Sequence, residues 1–198
     1  MSPKVGMRPV RREQIVQATI RCLARRGYAR LTMKELAREA NVSQGILHYY
    51  FADKRAILAA AFRAVAAALN RRVAVAQARS VRDPRSRLRA VVAACLEAAV
   101  EQRAYWRVFV QFWSEMPHDR DLRRANAELY ETTRSQLAGL VTQGIRSGVF
   151  REVNARHAAG VILGLVDGLS LQLTFDEAFS VTAAARFCDE ALMRYLAT

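Results

Sequence analysis

The chain has 198 residues, about half of them apolar, and a formal charge of +13. That composition is too hydrophobic for a disordered chain. Three scattered cysteines (Cys22, Cys95, Cys188) are too few for a disulfide framework or a zinc site, so no metal or cofactor is expected.

The longest clean apolar run, Ala158 to Val166, is far too short to cross a bilayer, and the N-terminus holds no stretch of signal-peptide type. The expectation is a cytoplasmic protein without a membrane partner. The cysteines read as small core hydrophobes, with a redox-sensing thiol as the alternative. Charge is spread unevenly: residues 1–58 hold 12 Lys and Arg against 4 Asp and Glu, the other 140 residues 19 against 14. The asymmetry points to a polyanion, nucleic acid before membrane. Between Arg63 and Arg89 eight Arg face one Asp, a solvated face or a second basic surface.

Apolar residues recur at three- and four-residue spacing throughout, without a period-2 run, which predicts an all-α protein. About nine helices are expected: 10–26, 32–39, 43–50, 54–79, 84–102, 104–115, 119–147, 155–174 and 182–196. Pro9 precedes the first, Gly27 ends it, Pro117 separates two more and Gly148 closes a long one. Thr32-Met-Lys-Glu35 has the form of a capping box, Ser43 and Asp53 are N-caps, and Asp83-Pro84 places a cap before proline at the first helical position. Before the first helix, Lys4, Arg8, Arg11 and Arg12 form a basic arm, reaching DNA or simply solvated.

The stretch Leu31 to Phe51 holds two short helices joined by Ala40-Asn41-Val42. Neither is stable alone, so both must share a small core with the first helix. Ile15, Ala18, Ile20, Leu23, Leu36, Ala37, Ala40, Val42, Leu47 and Phe51 are its candidates. Ala37 is small where helices approach, Asn41 suits a left-handed turn four residues later, and Leu47 is apolar six further on. That is the helix-turn-helix pattern, and a short second helix suits a major groove.

The run Leu31-Thr-Met-Lys-Glu-Leu-Ala and then Asn41-Val-Ser-Gln-Gly-Ile-Leu-His-Tyr-Tyr-Phe-Ala-Asp-Lys54 resembles the DNA-binding domain of TetR-family regulators, which usually have Gly where Asn41 stands. The resemblance implies a DNA-binding domain over 1–53 and a helical effector-binding and dimerisation domain over 54–198. It implies phosphate contacts by Thr32 and Lys54 and backbone contacts by Tyr49 and Tyr50. Ser43, Gln44, Gly45, Ile46 and His48 would face the groove. Gln44 is the best base reader, because an amide bonds bidentately to adenine. Core packing remains the alternative for Tyr49, and an exposed position without contact for His48.

In the C-terminal body, Gly160, Gly164 and Gly168 recur at four-residue spacing. Glycine costs roughly 1 kcal/mol per helical site, so close helix approach is the expected reason. With Phe187, Ala191, Leu192 and Tyr195 this suggests a four-helix homodimer interface as in the family, intramolecular packing being the alternative. Trp106, Phe109 and Trp113 form an aromatic helix face, either core or part of an aromatic enclosure for a quaternary ammonium. Lys4-Val-Gly-Met-Arg-Pro-Val-Arg-Arg12 and Phe112-Trp-Ser-Glu-Met-Pro-His-Asp-Arg-Asp-Leu-Arg-Arg124 resemble the choline/glycine-betaine (BetI-like) branch. That resemblance implies an effector such as choline, with Trp106, Phe109, Trp113 and Tyr130 in its pocket and Glu115 or Asp167 supplying charge.

The expected function is a dimeric regulator, a repressor by the family's habit, released from a near-palindromic duplex operator by a small molecule. Two other readings stand beside it: a DNA-binding factor without a small-molecule effector, and an all-α enzyme. Against the enzyme, His48, His118 and His157 are isolated, and neither HExxH, GxSxG nor a phosphate-cradling glycine loop occurs.

Overall fold

The computed structural model describes residues 7–28, 30–79 and 83–197. Lys4 and the start of the Lys4–Arg12 segment lie outside the described residues. Among the described residues there are nine helices and no strand: α1 (Met7–Arg26), α2 (Met33–Glu39), α3 (Gln44–Tyr50), α4 (Lys54–Arg79), α5 (Pro84–Glu101), α6 (Arg103–Glu115), α7 (Arg120–Arg146), α8 (Ala155–Phe175) and α9 (Val181–Leu196). The structure departs most from the sequence reading at α1. Pro9 lies inside its first turn, where a missing N–H leaves no helical bond unmade.

Local chemistry sets most helix boundaries. Gly27 (φ 75°) and Gly148 (φ 70°) leave α1 and α7 through left-handed backbone, which a residue without Cβ adopts freely. At the start of α2, the Glu35 N–H donates to Thr32 Oγ1 (3.2 Å) and the Thr32 N–H returns to Glu35 Oε2 (3.1 Å), completing the capping box. Ser43, Asp53 and Asp83 each accept a backbone N–H three residues on, at 3.3, 2.8 and 3.0 Å. Asp119 caps α7 by accepting from the N–H groups of Asp121 and Leu122 at 2.9 and 3.0 Å.

The chain folds as two compact units, with α4, α6 and α7 each contributing residues to both. The first unit comprises the described residues up to Ala67 together with Arg107–Asn126. Its core contains Ile15, Ala18, Ile20, Leu23, Leu36, Ala37, Leu47 and Phe51, while Ala40 and Val42 are half-buried. Asn41 turns the chain between α2 and α3 at φ 51°. The unit reaches past residue 53 because Phe62 of α4 packs on α6. Its ring stacks on Phe109 (5.5 Å between centroids) and meets Phe112 edge-on at 5.4 Å.

The second unit comprises Ala68–Trp106 and the described residues from Ala127 onward. Its α5 packs on α8 and α9, and α8 on α9. Leu88, Leu96, Ile162, Leu173, Cys188 and Leu192 fill that core. Burial raises the Cys95 thiol to about 12 and the Cys188 thiol to about 11, so neither is poised as a thiolate. Contrary to the apolar-run estimate, α8 is long and apolar enough to cross a membrane by length and composition. The run stops at Asp167, but the residues beyond that one charge are again mostly apolar. In this fold Ala158, Ala159, Ile162, Val166 and Leu173 are buried core residues.

Gly144 of α7 lies beneath the Phe150 ring, and a Cβ there would come within 2.0 Å of Phe150 Cδ2. Phe150 is fully buried, so its ring must shift within the core to admit a methyl. Gly144→Ala should therefore destabilise the protein by about 1–3 kcal/mol in chemical denaturation. Gly139→Ala, in the same helix with nothing within 4 Å of the new methyl, should stabilise it by up to about 1 kcal/mol.

Candidate nucleic-acid interface and effector site

Helix α3 is seven residues long, about 10 Å, and is anchored by Leu47 at 0% exposure. Around that anchor, Ser43, Gln44, Gly45, Ile46, His48 and Tyr49 are all exposed, and Tyr50 is half-buried. Tyr49 (62% exposed) and Ile46 (41%) are large apolar groups left open to solvent. A Cβ at Gly45 would meet only Ser43 Oγ at 3.8 Å, so the chain's own packing does not demand glycine there. A surface approached closely from outside would. Ser43 Oγ accepts the Ile46 N–H and is partly committed to capping.

Cations frame this face. The Arg8 guanidinium stacks 4.8 Å over the Tyr49 ring, and Arg12 lies 4.8 Å over Phe51. Tyr49 and Tyr50 meet edge to face at 5.1 Å. Lys54, half-buried at the start of α4, holds its ammonium 5.5 Å from the Tyr28 centroid. Thr32 is exposed, but its hydroxyl lies 3.1 Å from Glu35 Oε2, and Glu35 also accepts from Arg26 Nη1 at 2.7 Å. These bonds, that from Thr32 first, hold the Glu35 carboxyl below its ordinary value. Thr32 would reach a phosphate only by exchanging that bond. The basic arm with Arg8 and Arg12 was legible in the sequence, but the rings that Arg8, Arg12 and Lys54 meet were not, because cation–π pairing here joins residues 26 to 41 positions apart.

The six effector-site candidates divide between the units. Phe109, Trp113 and Glu115 belong to the first unit, where Phe109 stacks on Phe62 and contacts Trp113 at 5.5 Å. Trp106, Tyr130 and Asp167 belong to the second. Trp106 is buried, and the Tyr130 hydroxyl donates to Asp167 Oδ2 at 2.6 Å. Burial raises the Asp167 carboxyl above its ordinary value, partly offset by that bond, and burial likewise raises the Tyr130 phenol. Among the described residues no basic side chain pairs with Asp167.

Within the second unit lies a cavity of about 180 Å³, lined by Asn70 of α4, Val91 and Cys95 of α5, Thr133 and Leu137 of α7, and Ile162 and Val166 of α8. Tyr130 stands one helical turn from Thr133, and Asp167 follows Val166. Nothing in the sequence marked these lining positions, since a cavity wall and a packed core have the same apolar composition.

On the far helices, Gly164 and Gly168 are exposed, Gly160 is half-buried, and a Cβ at any of the three would meet nothing within 4 Å. Val161, Leu171, Phe175 and Phe187 are exposed at 45, 36, 60 and 62%. Along α8, residues 161, 164, 168, 171 and 175 make one stripe at three- and four-residue steps. Leu192 is core at 1% exposure and does not join that surface. Half-buried Tyr195 lies beneath the Arg151 guanidinium, 5.2 Å from its centroid.

Comparison with known proteins agrees with this architecture. Residues 15–61 match the tetR family of bacterial regulatory proteins, and residues 84–197 match the C-terminal region of the BetI-type transcriptional repressors. The chain is 34% identical over 197 residues to the HTH-type transcriptional regulator BetI of Paraburkholderia phytofirmans, covering 99% of this chain and 98% of that one. It is 37% identical over 170 residues to BetI of Burkholderia ambifaria, covering 86% and 85%. A solved protein described as a transcriptional regulator of Pseudomonas aeruginosa superposes with a TM-score of 0.86 at 26% identity, over 94% of this chain and 90% of that one. Another, of Saccharomonospora viridis in complex with choline, gives 0.81 at 28% identity over 94% and 97%. The chain belongs to the TetR family of DNA-binding transcriptional regulators, with a C-terminal region of the BetI repressor type.

Proposed function

We propose that this regulator works as a homodimeric repressor on a near-palindromic operator in the cytoplasm and is released by a small organic cation, choline being the first candidate. The observation that carries the DNA reading is the exposed α3 face set around a fully buried Leu47. Residues 1–53 supply recognition: Gln44 reads a base edge, and Gly45 lets the backbone approach. Ile46 meets a thymine methyl, while Ser43 and His48 line the groove. Thr32, Tyr49, Tyr50 and Lys54 hold the phosphate backbone and set register.

Residues 54–198 supply dimerisation and effector binding. The exposed stripe of α8, with Gly164 and Gly168 at its centre and Phe175 and Phe187 beside it, suits a two-fold contact in which helices approach closely. A dimer then sets two recognition helices in successive major grooves, roughly 34–36 Å apart or more. Asp167 supports the effector reading. A half-buried carboxylate without a cation is costly, and a quaternary ammonium in the cavity that neighbouring Val166 lines would relieve it. The choline-bound neighbour, 28% identical, supports the same ligand class. Effector binding lowers DNA affinity by the coupling between the two sites, typically about 1–3 kcal/mol.

Fluorescence anisotropy on duplex DNA from the chain's own upstream region tests the assignment. Gln44→Ala should relax base discrimination, whereas Lys54→Ala should weaken all sequences alike and reduce the salt slope by about one. Unchanged discrimination in Gln44→Ala would remove that residue as a base reader. In sedimentation velocity, Phe187→Glu should shift the protein to monomer and abolish tight operator binding. A dimer that survives it would move the interface elsewhere.

Choline should weaken operator binding by the wild type but not by Asp167→Asn. A protonated Asp167 presents no charge to a cation, so choline affinity is full well above the raised carboxyl value and falls as pH drops through it. That fall should begin at higher pH than an ordinary aspartate would give. A choline response independent of Asp167 and of pH would place the effector elsewhere.

A further inference from the structure

We propose that Tyr28 is the positioning residue for Lys54, seating the phosphate-binding ammonium on the aromatic layer of α6. The proposal rests on the assignment of Lys54 as an operator contact. Tyr28 comes directly after Gly27, whose left-handed backbone turns the chain out of α1. One contact of its ring is the Lys54 ammonium, 5.5 Å from the centroid. Another is Phe112, set edge-on at 6.2 Å and 82°.

Phe112 is completely buried and meets Phe62 at 5.4 Å. Phe62 stacks on Phe109, which touches Trp113. An unbroken series of ring contacts thus leads from α6 to the ammonium at the start of α4, all inside one compact unit. The aromatic face that the sequence singled out therefore ends at a DNA-facing cation.

The physical reason for such a seat is entropic. Lysine carries a long flexible stem, and an ammonium already held in place loses less freedom when it meets a phosphate. The ring face attracts the ammonium through its quadrupole. Burial raises the Tyr28 phenol, and Glu115 and Asp119 lie close enough to add to that rise, so they enrich the same corner in negative charge, while Arg55 opposes them. Two sources of attraction are therefore present, ring and carboxylates, and they respond differently to substitution.

The test uses the full-length protein and duplex DNA from its own upstream region, titrated at several salt concentrations. Tyr28→Leu should weaken binding about two- to five-fold, the fold-change equivalent of an exposed cation–π contact. Tyr28→Phe, which keeps the ring, should restore wild-type affinity. In a Lys54→Ala background Tyr28→Leu should cause no further loss, because the two residues act as one unit.

Equal loss in both backgrounds, or no loss in Tyr28→Leu, would overturn the positioning role. If Lys54→Ala itself changes neither affinity nor salt slope, the operator-contact assignment has failed, and the proposal falls with it. A measurement that needs no variant checks the same point. The Lys54 side-chain methylene protons next to Nζ should resonate upfield of ordinary lysine values under the Tyr28 ring current, and ordinary shifts would overturn the contact.

Discussion

A seven-residue helix has no independent stability in water, and the recognition helix of this protein is one. Nucleating the first turn fixes several backbone angles for one hydrogen bond, so α2 and α3 exist only because they are packed. Leu36, Ala37, Leu47 and Phe51, together with Ile15 and Leu23 of α1, provide the packing. Burial of each large apolar side chain contributes about 1.5–3 kcal/mol. The same anchoring that holds Leu47 inward turns Gln44, Gly45, His48 and Tyr49 outward, so the buried and the exposed faces of this short element are fixed together.

That small core does not end with the three N-terminal helices. Phe62 of α4 lies against Phe109 and Phe112, which brings part of α6 into the same body. Aromatic pairs of this geometry contribute about 0.5–1.5 kcal/mol beyond their buried area. The DNA-reading head is therefore braced by residues more than fifty positions away in sequence.

The second unit carries two features that its own packing does not require. One is the exposed α8 stripe, where Gly164 and Gly168 have open space around them. Each costs helix stability without making room for any part of its own chain. The other is Asp167, half-buried and bonded by a phenol rather than paired with a cation. Both are places where stability has been given up, and functional sites collect such places.

Much of this protein was determined by sequence alone, because its signals are local. Helical periodicity, the Thr32–Glu35 box, the caps at Ser43, Asp53 and Asp83, and the left-handed Asn41 turn each act within about four residues. The helix-turn-helix followed from them and carried the family resemblance. What only tertiary structure decided is how equivalent apolar and aromatic positions divide. Phe109 went to a stacked core, Leu192 to the interior and Phe187 to the surface, while Val91, Ile162 and Val166 line a cavity. Hydrophobic burial is non-directional and depends on area, so composition shows that a residue will be buried somewhere without showing against what. That choice belongs to contacts between residues far apart in the chain.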